Sequence, residues 1–154
     1  MADWFLKVKK DFITCFLEKD RWHYILQGLG NTLKIALVAV LLGVVIGTVV
    51  AIIRSTYDKN AATMRPGIAR FLLGLGNAIC RIYLTVIRGT PAMIQILIMF
   101  FVIFSNARDG VPVAMLTFGI NSGAYVAEIF RGGIMAVDAG QMEAGRSLGF
   151  NFVQ

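Results

Sequence analysis

The feature that most limits what this chain can fold into is the uncharged run IALVAVLLGVVIGTVVAII at residues 35–53. A helix of 19 residues rises about 28 Å at 1.5 Å per residue, close to the hydrocarbon thickness of a bilayer. Val and Ile favour strands in water, but a lone strand in lipid leaves its backbone groups without partners, so the run is predicted to be a membrane-spanning helix. Composition agrees, with 57% hydrophobic and 16% charged residues, where a soluble domain carries roughly half and a quarter. Gly43 and Gly47, one turn apart, either admit a second helix at close range or are glycines that lipid tolerates.

The rest of the chain reads as further helices around this first span. Residues 1–34 form an N-terminal segment; from Met1 to Gln27 charged and apolar residues alternate, with no continuous apolar stretch and no small-residue cleavage site, unlike a signal peptide. Residues 54–67, ending in Pro-Gly, are predicted to be a loop. Over 68–104 an amphipathic segment, with Arg70, Asn77, Arg81, Thr85 and Arg88 on one side, leads into span two at about 82–104, which Pro91 would interrupt. That segment either lies at the interface with its arginines snorkelling or begins the span itself, with its polar side facing a partner or a translocation path. After a turn-rich connection, 111–130 is span three. There Thr117, Asn121, Tyr125 and Glu128 make one stripe. Because a carboxylate in a span is costly, Asn121, Tyr125 and Glu128 are candidates for a solute path, with Thr90 and Gln95 beside the Pro91 break as the groups to meet them. The bland alternative leaves Glu128 at the membrane edge and Asn121 gluing helices. Gly132-Gly133 is expected to break the helix, and a short docking helix over 139–150 follows Asp138, a potential N-cap. The expected architecture is therefore all-α, with three spans, an amphipathic segment and a short terminal helix in a single membrane domain. A slight excess of basic residues after span one puts the N-terminus outside.

Several chemistries are excluded. The net charge of +6 is scattered between apolar runs, which suits anionic lipid and not nucleic acid. One histidine (His23) and two distant cysteines (Cys15, Cys80) provide neither a metal site, nor a disulfide framework, nor a catalytic set. QGLGN at 27–31 and LGLGN at 73–77 lack the third glycine and the βαβ setting of a dinucleotide site, and no phosphate-binding G-x-x-x-x-G-K-[ST] occurs. No cofactor is expected, the chain is not read as an enzyme, and any ATP must be bound by another chain.

Three ordered stretches resemble the polar amino-acid permease family of ABC importers: residues 28–54; YLTVIRGTPAMIQILIMFF at 83–101, with Arg88, Gly89, Thr90, Pro91 and Gln95 in the family's R-G-T-P-x-x-x-Q; and INSGAYVAEIFRGGIMAVDAGQMEAGRSLGF at 120–150. The last contains a sequence similar to the family's E-A-A-x-x-x-G coupling motif, here Glu143, Ala144, Gly145, then Gly149, with Gly145 where the family has alanine. The resemblance implies a multi-pass subunit of the bacterial cytoplasmic (inner) membrane, a second permease subunit, cytosolic ABC ATPase subunits docking on residues 139–150, and an extracytoplasmic amino-acid-binding protein or domain. It also implies that the sequence stops short of two further helices. Two other classes stand beside it: a small structural or regulatory membrane protein, and a cation channel using Glu128 as a ring charge.

Overall fold

Small residues decide how the long apolar helices meet. The structure, a computed structural model, describes residues 2–16, 21–61 and 64–151, and among these it is all helical. Helix α1 covers Ala2–Phe16, α2 Trp22–Asn60, α3 Ile68–Gly89 and α4 Ala92–Ile98, which runs on as a π-helical turn over Met99–Ile103; α5 covers Gly110–Ala136 and α6 Ala139–Ser147. Three of them, α2, α3 and α5, are long and apolar enough to cross a membrane.

Helices α2 and α5 run parallel, because the pairs Leu42/Gly119, Ile46/Gly123, Gly47/Val126, Arg54/Glu128 and Asp58/Arg131 climb both helices together. Four glycines set their approach. A Cβ on Gly47 would fall 2.7 Å from Val126 Cβ and 2.9 Å from the Ala127 backbone nitrogen; one on Gly43 would sit 2.6 Å from Ser122 Oγ. From the other side, Gly119 receives Leu42 and Gly123 receives Ile46 and the Tyr83 hydroxyl. This is the small-xxx-small device by which membrane helices gain close packing without help from the hydrophobic effect. Helix α3 returns antiparallel along α2, placing Gly74 near Tyr57 and Gly76 near Ile53. Where the three converge, Val50, Cys80, Leu84, Ala124 and Ala127 form the core. Among the described residues no large side chain is fully buried, while Leu37, Leu41 and Val45 are each about 60% exposed. That distribution is untenable in water and fits a bundle whose outer face is covered by lipid.

Helix boundaries differ from the sequence reading in four places. Helix α2 extends on both sides of 35–53, taking in 22–34 and much of the expected 54–67 loop. Its last polar turn is held by Asp58 Oδ2, 3.0 Å from Arg131 Nη1, and by Lys59 Nζ donating to the Ile134 carbonyl at 3.5 Å. Helix α5 begins at Gly110, capped by Asp109 Oδ1 accepting from Val111 N, and runs through Gly132-Gly133. Those glycines do not break the helix, since the bonds from Asp58 and Lys59 tie down the turns on both sides of them. Residues 82–104 are not one span: the chain breaks at Thr90–Pro91, and the helix before the break is the whole of 68–89.

Helix α6 is a compact capped unit. Asp138 Oδ1 accepts from Gly140 N at 2.7 Å, closing its N-terminus. At the other end Gly149 takes φ 87°, with Gly149 N donating to Arg146 O and Phe150 N to Gly145 O. That pair of bonds is the Schellman motif, whose left-handed residue is best filled by glycine.

Candidate functional site

Pro91 has no N–H, so the carbonyl of Ile87, four residues back, loses its helical partner. The residue before a proline is also pushed out of the α region, and Thr90 sits at φ −116°, ψ 140°. The side chain of Gln95, one turn into α4, fills the gap. Its Nε2 donates to Ile87 O at 2.7 Å, to Thr90 O at 3.0 Å and to Thr90 Oγ1 at 2.7 Å, so two hydrogens serve three acceptors. Thr90 Oγ1 in turn donates to Val86 O at 2.9 Å. Gln95 Oε1 then accepts from Asn121 Nδ2 at 3.1 Å, tying the broken helix to α5. Thr90, Gln95 and Asn121 thus meet at one point where apolar helices are interrupted. An apolar cavity of about 310 Å³, lined by Ile87, Ile94, Ile98 and Ile120 among others, opens beside them. A π-helical turn, closed by Phe104 N donating to Met99 O, follows on the same helix.

The four-residue stripe does not stay together. Thr117 is buried and its hydroxyl donates to its own helix at Val113 O, 2.7 Å away. Tyr125 is half exposed, with the Arg88 guanidinium 5.8 Å from its ring centroid. Glu128 is the hub of a separate cluster: Oε1 lies 2.9 Å from Arg54 Nη1 and 3.5 Å from Arg88 Nη1, and Oε2 lies 3.5 Å from Arg131 Nη2. One carboxylate therefore joins α2, α3 and α5, and Arg131 carries the chain of charge on to Asp58. Arg54, Arg81, Arg88, Tyr125 and Glu128 line a polar cavity of about 510 Å³ in which arginines outnumber carboxylates. A carboxylate so surrounded is not the bare ring charge that a cation channel requires.

Arg54, Arg131 and Tyr83 were not legible as site residues in the sequence, and Arg88 was legible only as part of the polar side of 68–88 and of the R-G-T-P stretch. Tyr83 donates to Ile120 O at 2.6 Å across the glycine face of Gly123, clamping α3 to α5 just below the break. For the pairing itself, the three-residue spacing of Glu128 and Arg131 was the local signal; Arg54, Arg88 and Tyr83 reach their partners from other helices. Among the described residues no cluster of His, Cys, Asp or Glu could hold a metal. Residues Glu143, Ala144, Gly145 and Gly149 all lie on or just after α6, and all but half-buried Gly145 are exposed.

Comparison with known proteins places this arrangement in context. Residues 62–154 match the family model described as binding-protein-dependent transport system inner membrane component. The arginine transport system permease protein ArtQ of Bacillus subtilis (strain 168) is 36% identical over 129 residues, covering 82% of this chain and 52% of ArtQ. The L-cystine transport system permease protein TcyB of the same organism is 28% identical, covering 86% and 51%. Among solved structures, the crystal structure of an amino acid ABC transporter with histidines superposes with a TM-score of 0.59 at 35% identity, covering 79% of this chain and 51% of that one. The chain spans about half the length of the curated relatives it matches.

Proposed function

This chain belongs to the family of binding-protein-dependent transport system inner membrane components, and from that premise we propose that it is permease sequence of an ATP-driven importer for polar amino acids in a bacterial cytoplasmic membrane. The observation that carries the reading is the convergence of Thr90, Gln95 and Asn121 on the Pro91 break. Polar side chains and the backbone groups of a broken helix at the depth of apolar helices are tolerated only inside protein or beside a wet cavity, and there they can exchange their mutual hydrogen bonds for those of a polar solute as it leaves water. Tyr125 and Glu128, one and two turns further along α5, continue the polar side of that path toward the arginine cavity.

Coupling falls to α6. With the N-terminus outside, parallel α2 and α5 both end at the cytoplasmic side, and α6 follows directly after α5. Its exposed Met142 and Leu148 and its two rigid caps suit a knob seated in the cleft of a cytosolic ATPase, with Glu143, Ala144, Gly145 and Gly149 in the contact. ATP binding and hydrolysis on that partner switch the permease, paired with a second permease subunit, between outward and inward access. An extracytoplasmic binding protein or domain delivers the solute. The test is uptake by the assembled transporter. Asn121→Leu lowers uptake with little change in protein level, and Glu143→Ala leaves ATP hydrolysis no longer tied to uptake. Wild-type uptake and wild-type stimulation of ATP hydrolysis in both variants would refute the reading.

A further inference from the structure

We propose that α1 is an interfacial helix that binds the anionic surface of the bilayer beside the start of α2. The amino-acid order makes α1 two-faced. Trp4, Phe5 and Val8 share one side at helical spacing, while Lys7, Lys10 and Thr14 lie together away from it, with Asp11 at the border beside Trp4, two turns on. Leu6 and Ile13 flank the apolar side with Lys9 between them, a position from which a lysine reaches headgroups by snorkelling. Nothing in the described fold covers the apolar side, for Trp4, Phe5 and Leu6 are each more than 60% exposed.

Geometry names the occupant. Residues 17–21 are the whole connection to α2, and five residues reach at most about 18 Å. The apolar side of α1 is therefore held permanently within reach of the bilayer that α2 crosses. The opening turn of α2 carries a stacked Trp22–His23 pair, 3.7 Å between centroids, and an exposed Tyr24, and from there the exposed Ile25, Leu26, Leu29 and Leu33 continue the apolar surface to the uncharged run at 35–53. Charge selects the lipid: Lys7, Lys9 and Lys10 lie within four residues of one another and outnumber Asp3 and Asp11 in the same helix, so an anionic surface adds Coulomb attraction to apolar burial. The inference rests on α2 crossing the membrane and is independent of what is transported.

The test places the full chain in lipid nanodiscs with Trp22→Phe, which leaves Trp4 as the single tryptophan. In discs containing phosphatidylglycerol, Trp4 emission shifts to the blue, is quenched by lipids brominated near the headgroup end of their chains, and is shielded from acrylamide about threefold or more relative to free tryptophan amide. With Lys7→Gln and Lys10→Gln the seated fraction falls by up to about fivefold for each lysine removed, and pure phosphatidylcholine discs weaken seating similarly. Circular dichroism of the variants checks that α1 and the bundle stay folded. Trp4 open to acrylamide in both lipids overturns the proposal. So does shielding that brominated lipid does not report and that rises with the number of copies per disc, the mark of α1 pairing with a second copy. Equal seating in both lipids and in the lysine variant overturns the anionic preference.

Discussion

Replacing Gln95 with leucine tests whether this side chain mainly repairs the Pro91 break or mainly serves a solute. In the structure its amide satisfies Ile87 O, Thr90 O and Thr90 Oγ1 and accepts from Asn121. Gln95→Leu conserves most of the volume but strands the Ile87 carbonyl, for which Pro91 offers no N–H. A buried group left unpaired costs about 1–3 kcal/mol. The interhelical bond to Asn121 adds about 0.6 kcal/mol by the average of membrane-protein cycles. Thr90 O and its hydroxyl can find other partners, so a loss of about 2–4 kcal/mol is expected. The assay is reversible unfolding in mixed micelles followed by circular dichroism, repeated in a Pro91→Ala background. There Thr90 is released from the pre-proline restriction, and once it turns helical the restored N–H at position 91 can bond Ile87 O, so Gln95→Leu should cost about 1–2 kcal/mol less, a coupling that only the repair role produces. A loss below about 0.5 kcal/mol in both backgrounds, together with abolished transport, would refute the repair argument and leave Gln95 as a solute ligand.

Three further expectations can be checked in the same micelles. Gly47→Leu should cost about 3 kcal/mol or more by forcing α2 off the Ala127 backbone, whereas Gly76→Ala, whose Cβ meets Ile53 Cγ2 at an ordinary 3.5 Å, should be neutral or stabilising by up to about 1 kcal/mol. Glu128→Gln should destabilise by about 1–3 kcal/mol, since it leaves Arg54, Arg88 and Arg131 facing one another; this is discounted from the 3–5 kcal/mol of fully buried pairs because these side chains are 16–44% exposed. High salt should recover part of that loss, and no recovery would argue against repulsion as its cause. In α6, Gly145→Ala should raise helix stability by up to about 1 kcal/mol, because the new methyl meets only Phe150 Cδ2 at 3.8 Å, while Gly149→Ala should cost about 1–2 kcal/mol at φ 87°. Amide hydrogen exchange across residues 140–150 reads both.

What the sequence determined alone was everything governed by one helix and its solvent. An uncharged run of membrane length has no fold in lipid but a helix, so 35–53 was legible, as were the all-helical class, the Asp138 cap and the ordered family motifs. Tertiary structure decided the rest, because it depends on groups supplied from elsewhere in the chain. Gly132-Gly133 reads as a breaker by local propensity but stays helical where Arg131 and Ile134 are bound from α2. The polar stripe on α5 has one period in sequence, yet its members separate: Thr117 turns back to its own helix, Asn121 goes to Gln95 and Glu128 to three arginines. Periodicity gives the direction in which a side chain leaves its helix, but its partner is set by which helix lies opposite. Here that is set by four glycines that bring α2 and α5 together in parallel and by a proline whose lost hydrogen bond a glutamine one turn away supplies.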